Sequence, residues 1–166
     1  FSTGDYCTRI SNRKILSGLI QAVKLADSTV LGDIELVVFR AIDKLDRLGL
    51  EGVKNLLAKG RTDSSGDFTE GANLRADQID TIISFLQITN DDPYKTLEEM
   101  KYLIGDSEIG QQGIIELSNI TDTLLSKDIS NLSFKIDPSV VRGLAYYTGT
   151  VFETELSTPT RSLGSI

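Results

Sequence analysis

Tyr6, Thr8 and Ile10 alternate with Cys7 and Arg9, the two-residue period of a β-strand over residues 5–11. The period then lengthens. Ile15, Leu16, Leu19, Ile20 and Val23 recur at helical spacing, and Ser11 or Asn12 stands where a helix N-cap is expected. From Gly32 the stripe resumes with Ile34, Val37, Val38, Ala41, Ile42, Leu45 and Leu48, which reads as one helix until Gly49 interrupts it; Gly52–Ala58 reads as a shorter helix. Residues 60–73 are polar and glycine-rich and predict a loop. Ile79, Ile82, Ile83 and Leu86 mark a further helix that stops before Asn90, and Pro93 suits the first turn of the next, with Leu97, Met100 and Ile104 on one side. Residues 107–126 predict one or two helices aligned on Leu117, Ile120 and Leu124, with Gly110 and Gly113 as weak points.

Beyond residue 130 the short period returns. Leu132, Phe134 and Ile136 alternate with Ser133 and Lys135, Asp137-Pro138 breaks the run, and the stretch from Tyr146 to Leu156 is extended. Ser162–Ile166 reads as the start of another strand. The order is strand, then helices, then strands, which predicts an α+β chain: an antiparallel-sheet core interrupted by a mainly helical insertion. The division expected is a strand and helix in 1–27, the helical insertion in 28–129, and further strands in 130–166.

Charge supports that division. Residues 1–24 carry four basic side chains and one acidic, residues 25–131 ten basic and twenty acidic, and residues 132–166 three of each. The chain's net charge of −7 therefore resides in the middle, inside a basic or neutral frame. The chain has 166 residues, 40% of them hydrophobic and 25% charged, which suits a globular fold with a real core. No apolar run approaches membrane-spanning length, so no membrane is expected as a partner. There is no histidine, which excludes Ser-His-Asp and Cys-His catalysis and any His-based metal site within these residues. The single cysteine, Cys7, excludes an internal disulfide and suggests a reducing compartment; its place in a strand-like run suits a half-buried structural thiol. The start, Phe-Ser-Thr-Gly-Asp-Tyr, has neither a signal-peptide layout nor an initiator methionine, and a piece of a larger protein is expected.

The chemistry concentrates in residues 141–155, Val-Arg-Gly-Leu-Ala-Tyr-Tyr-Thr-Gly-Thr-Val-Phe-Glu-Thr-Glu. Arg142 offers a permanent charge on a planar donor fork suited to phosphate. Tyr146 and Tyr147 offer flat apolar faces with hydroxyl tips, suited to a small ring-bearing ligand. This stretch resembles the histidine-recognition motif of the histidyl-tRNA synthetases, Arg-Gly-Leu-Asp-Tyr-Tyr followed by a Thr-Val-Phe-Glu-like strand. It departs at Ala145, where the usual acid is missing. Upstream, Arg-Ile-Ser-Asn-Arg-Lys-Ile-Leu (9–16) is similar to the family's strand-to-helix turn, and Ser-Gly-Asp-Phe-Thr-Glu-Gly (65–71) resembles a loop of the insert in a bacterial subgroup.

The resemblance implies a fragment of a class II catalytic core with its helical insert. It implies an aminoacyl-tRNA ligase that activates histidine with ATP to histidyl-adenylate and transfers it to tRNA(His), working as a cytoplasmic homodimer. ATP enters as substrate, with Mg2+ expected from the family and no ligand for it identified in this chain. The family's ATP motifs are missing from this sequence, so the piece alone is expected to be inactive. The alternative is the synthetase-like regulatory subunit of ATP phosphoribosyltransferase, of histidine biosynthesis, which does not aminoacylate.

Carried over residue by residue, Arg142 is the catalytic candidate, contacting the α-phosphate and the histidine carboxylate. Arg142, Gly143, Tyr146 and Tyr147 form the histidine-binding set. Tyr147 borders the imidazole, whereas Tyr146 points to the opposite face of a regular strand and has a mainly structural role. Gly143 and Gly149 are read as backbone devices, a bend and a close approach. The competing reading of Arg142 is a surface pair with Glu153 or Glu155, and Glu153 itself suits a structural partner for a cation. Arg40, Lys44 and Arg47 are candidate tRNA contacts from one helix face, but Asp43 and Asp46 interleave them and a solvated face competes with the RNA reading. Asp63, Asp67 and Glu70 miss the spacing of a calcium loop, so no metal site is assigned.

Overall fold

A computed structural model of the chain describes residues 5–23, 31–141 and 147–156. Its organising strand is β1 (Tyr6–Asn12), which pairs on both edges. On one side lies β4 (Phe134–Ile136), with Ile10 opposite Ile136. On the other lies β5 (Thr150–Leu156), with Ile10 opposite Phe152 and Asn12 opposite Thr150. Directly opposed residues share a face. One face therefore carries Ile10, Ile136 and Phe152, and the other carries Arg9, Lys135 and Glu153. The β1–β5 pairing is antiparallel, as the sequence suggested, but β4 runs parallel to β1. A parallel partner needs a long crossover connection, and the helices between β1 and β4 supply it. The strand expected at Ser162–Ile166 lies outside the described residues.

The crossover begins with α1 (Arg13–Ala22), which follows β1 without a gap. Asn12 makes that possible. Its extended backbone closes the strand, and its Oδ1 accepts the Lys14 N–H at 2.9 Å as a helix cap. The helices α2 (Leu31–Ile42) and α3 (Leu45–Leu57) follow. The unbroken apolar spacing pointed to one helix here, yet the chain turns at Asp43-Lys44, where Lys44 N donates to Ala41 O and Arg47 N to Lys44 O in tight three-residue bonds. Gly49 then takes φ 65°, ψ 178° inside α3, a backbone setting that favours glycine.

Residues 60–73 are a small hairpin and not only a loop. Strand β2 (Gly60–Thr62) pairs with β3 (Phe68–Glu70), closed by Asp63 Oδ1 accepting from Ser65 N and Asp67 N. Helix α4 (Ala76–Leu86) is anchored by the buried Gln78, which accepts from Arg75 N at 2.9 Å and donates to Val23 O at the end of α1. Helix α5 (Pro93–Ile104) starts with Pro93 behind an Asp92 cap. Helix α6 (Glu108–Ser126) is one helix of 19 residues.

Gly110 and Gly113 do not weaken α6. They are where it meets α1. A Cβ on Gly18 of α1 would lie 2.5 Å from Gly110 Cα, and one on Gly113 would lie 2.6 Å from Ile15 Cγ1. The missing side chains let two helix backbones touch. The result is one apolar interior that takes Ile10 from β1, Leu19 from α1, Ile42, Leu57, Ile82, Met100 and Leu117 from the later helices, and Phe134 from β4. Each such fully buried side chain contributes about 1.5–3 kcal/mol relative to exposure. Gly18→Ala should therefore destabilise the fold by about 1–3 kcal/mol through overpacking, despite alanine's better helix propensity. Thermal unfolding followed by circular dichroism checks this; an unchanged or raised midpoint would refute the close crossing.

Candidate functional site

The antiparallel register of β1 and β5 sets the Asn12-Arg13-Lys14 turn against the segment that runs from Tyr147 to Thr150. These are the two stretches that carried the sequence resemblance. Asn12 is 1% exposed, and its Nδ2 donates to Thr150 Oγ1 at 3.0 Å and to Glu116 Oε2 at 2.7 Å. Glu116 comes from α6, and its other oxygen accepts from Lys14 Nζ at 2.5 Å. The hydrogen bond from Lys14, then that from Asn12, hold the Glu116 carboxyl below the usual carboxylate range, against a smaller opposing effect of burial. Arg13 N donates to Gly149 O at 3.0 Å, and its guanidinium NH1 donates to Tyr147 O at 3.4 Å. The start of β5 is thus held by the first residues of α1 and by one carboxylate from the helical region.

A second polar group is centred on Arg9, midway along β1. Arg9 Nε donates to Asp137 Oδ2 at 3.0 Å and its NH2 to Ser139 Oγ at 2.9 Å, while NH1 reaches Glu155 at 2.5 Å and lies 3.8 Å from Glu153. Asp137 in turn accepts from both N and Oγ of Ser139. Burial alone would raise the Asp137 carboxyl. The hydrogen bonds from Ser139 and the charges of Arg9 and Lys135 together outweigh it and leave the group below its usual range. Asp137 N also donates to Ile10 O, and Val140 and Val141 are buried. This network fastens residues 137–141, directly before the arginine of the motif.

Of the residues singled out from sequence, Arg142, Gly143, Ala145 and Tyr146 lie outside the described residues. Tyr147 stands just before β5 and is 56% exposed. At Gly149 an added Cβ would meet only Glu116 Oε2, at 3.8 Å, so among the described residues no close approach demands glycine there. Glu153 and Glu155 have Arg9 as their cation. Arg40, Lys44 and Arg47 do not share one helix: Arg40 is in the last turn of α2, Lys44 is the N-cap of α3 and Arg47 is in α3. Arg40 and Lys44 instead line a shallow groove of about 170 Å³ with Val37, Ala41, Leu56, Thr69 and Glu70, and Arg47 is exposed on the first turn of α3. Sequence reading missed Glu116 and Asp137 as site-building carboxylates. The partners of Glu116, and the Arg9 that Asp137 meets, lie more than a hundred residues away along the chain.

No family model matches the chain. Full-length relatives do. Over 157 residues, 93% of the chain, it is 48% identical to the histidine–tRNA ligase of Dinoroseobacter shibae, of which it spans 32%. Over 153 residues it is 47% identical to the histidine–tRNA ligase of Rhizobium meliloti, of which it spans 30%. The chain matches one segment of the histidine–tRNA ligases. It spans about a third of the length of these relatives. The crystal structure of a Nostoc histidyl-tRNA synthetase overlays it with a TM-score of 0.75 at 28% identity, covering 93% of this chain and 32% of that one. A Bacillus halodurans structure described as an ATP phosphoribosyltransferase regulatory subunit/histidyl-tRNA synthetase has a TM-score of 0.65 at 18% identity, covering 97% of this chain and 35% of that one, which shows a shared fold. The α+β fold expected from the pattern is the fold of the ligase segment. Among the described residues no helix is long and apolar enough to cross a membrane, and no three carboxylate or thiol groups gather as a metal site.

The depressed Asp137 carboxyl gives a pH signature. A folded-state pKa below the ordinary value of 3.8 means stabilisation that is present above that value and is lost as pH falls through the depressed one. Asp137→Asn should cost about 1.5–3 kcal/mol at pH 7 and flatten the stability profile below about pH 4. Urea unfolding between pH 2 and 7 checks both; an acid limb as steep in the variant as in the parent would mean Asp137 is not the responsible group.

Proposed function

We propose that the chain is part of a histidine–tRNA ligase, contributing a piece of the class II catalytic core and its helical insertion. The protein forms histidyl-adenylate from histidine and ATP, then passes the histidyl group to tRNA(His), as a cytoplasmic homodimer. The observation that carries this reading is the β1–β5 register, which sets the Asn12-Arg13-Lys14 turn against Tyr147 and Gly149. Two motifs some 130 residues apart in sequence thereby form one locality, as a shared substrate site requires. The 48% identity over 93% of the chain to a protein named as such a ligase supports it.

In this reading Arg142, with its position taken from the motif, faces the negative charge that builds as the histidine carboxylate attacks the α-phosphate. Gly143 and Tyr146 support the pocket, and Tyr147 borders the imidazole. Mg2+ accompanies ATP, and no residue described here is assigned to it. Residues 28–129 form the insertion between 1–27 and 130–166, and the groove of Arg40 and Lys44, with Arg47 nearby, is its candidate tRNA surface. The regulatory-subunit alternative shares the fold at 18% identity and has no specific observation in its favour.

Histidine-dependent exchange of pyrophosphate into ATP by the full-length protein tests the assignment, and its absence would overturn it. The 166-residue chain alone should show none. In the full-length protein Arg142→Ala should slow exchange by about 100- to 1,000-fold, the usual cost of losing one donor at a developing charge. A changed histidine KM at an unchanged rate would assign Arg142 to substrate binding instead. Tyr147→Phe should relax the preference for histidine over analogues that lack a ring nitrogen, because the site then has no hydroxyl to leave unpaired. Competition kinetics with such an analogue measures it, and an undiminished preference would remove Tyr147 from the imidazole site.

A further inference from the structure

Arg13 touches three elements at once. Its backbone N–H donates to Gly149 O at 3.0 Å, and its NH1 donates to Tyr147 O at 3.4 Å. On the other side the guanidinium lies over the Phe39 ring of α2, 4.7 Å from its centroid, and NH2 stands 3.6 Å from Glu35 Oε1 of the same helix. That carboxylate oxygen is itself held by Ser17 Oγ at 2.6 Å, so α1 aims the anchor as well as the arginine. The Arg13 and Glu35 side chains are 24% and 26% exposed, which partly shields their attraction from water. Tyr147 is 56% exposed, so neighbouring side chains do little to hold it, and its carbonyl is where Arg13 reaches it.

We propose that Arg13 is a positioning residue for histidine recognition: it clamps the Tyr147–Gly149 backbone against α2 and so sets the direction of the Tyr147 side chain. The inference rests on the assignment of Tyr147 to the histidine pocket. The role calls for a guanidinium. A flat, delocalised cation can stack on Phe39 with one face while one arm of its fork donates to the Tyr147 carbonyl and another stays within ion-pair distance of Glu35. A lysine ammonium would keep the charge without the two-way fork. Displacing a substrate-positioning group by about 1 Å can cost on the order of 100-fold.

The test is made in the full-length protein by pyrophosphate exchange, varying histidine and ATP separately. Arg13→Gln should raise the histidine KM about 10- to 100-fold with the ATP KM little changed, and narrow the preference for histidine over an analogue lacking a ring nitrogen. Arg13→Lys should fall between the parent and Arg13→Gln. Because Arg13 acts through Tyr147, adding Arg13→Gln to Tyr147→Phe should narrow that preference no further than Tyr147→Phe alone. An unchanged histidine KM, or equal rises in both KM values with a lowered unfolding temperature, would overturn the proposal. If Arg13→Gln fails to fold, Glu35→Gln decides: a rise in histidine KM alone supports the clamp, and no rise overturns it. An unsubstituted protein without exchange activity would take down the ligase reading and this inference together. An active parent with an indifferent Arg13 variant would take down only the inference.

Discussion

With β4 on one edge and β5 on the other, β1 is the strand through which every distant part of this chain is brought into register. Its side chains alternate between an apolar face, where Ile10 lies between Ile136 and Phe152, and a polar face, where Arg9 lies between Lys135 and Glu153. A shift of one residue between β1 and β4 would take Ile10 off the face of the buried Phe134 and Ile136 and put Arg9 there instead. Burial therefore determines the β1–β4 register, whereas β5, whose Phe152 is 58% exposed, is tied to β1 by its ladder and by polar contacts. Asn12 meets Thr150 at the end of β1, and Arg9, midway along it, meets Asp137, Glu153 and Glu155.

The helical middle is joined to this sheet both by packing and by charge. The backbone contact of α1 and α6 at Gly18 and Gly110 lets the helices share one interior with the strands. The uneven charge of the sequence then acquires a local meaning. The basic turn at Arg13 and Lys14 meets Glu35 of α2 and Glu116 of α6, both from the acidic segment. Partly exposed pairs of this kind contribute little to stability one by one. Their value here is geometric, because each holds a specific piece of backbone next to the start of β5.

The strands at 6–12 and 134–136 and the helices were legible in the sequence because the two- and 3.6-residue periods report which face each element buries. The break between α2 and α3 was not, because the apolar spacing runs through it and the turn at Asp43-Lys44 is made of backbone bonds. The hairpin at 60–70 was hidden by its exposure: β3 buries no side chain, so its sequence shows no alternation to read. Of the site, Tyr147 and the Asn-Arg-Lys turn were visible as motifs, whereas Glu116 and Asp137 were two acids among many.

By itself the sequence determined the local elements, a helix cap at Ser11 or Asn12, Pro93 in a first turn, and the ligase-like motif, all of which depend on residues within a turn or a few strand positions of one another. Only the tertiary structure decided that β4 runs parallel to β1, that Gly110 is a contact and not a weak point, and that Arg9 is met by Asp137 and Glu155. It also decided that Glu116 holds the turn at Asn12 and Lys14. The physical reason is chain separation. Arg9 lies 128 residues from Asp137, and Lys14 lies 102 from Glu116. Such pairs are chosen by sheet register and by how closely helices can approach, and neither leaves a period in the neighbouring sequence.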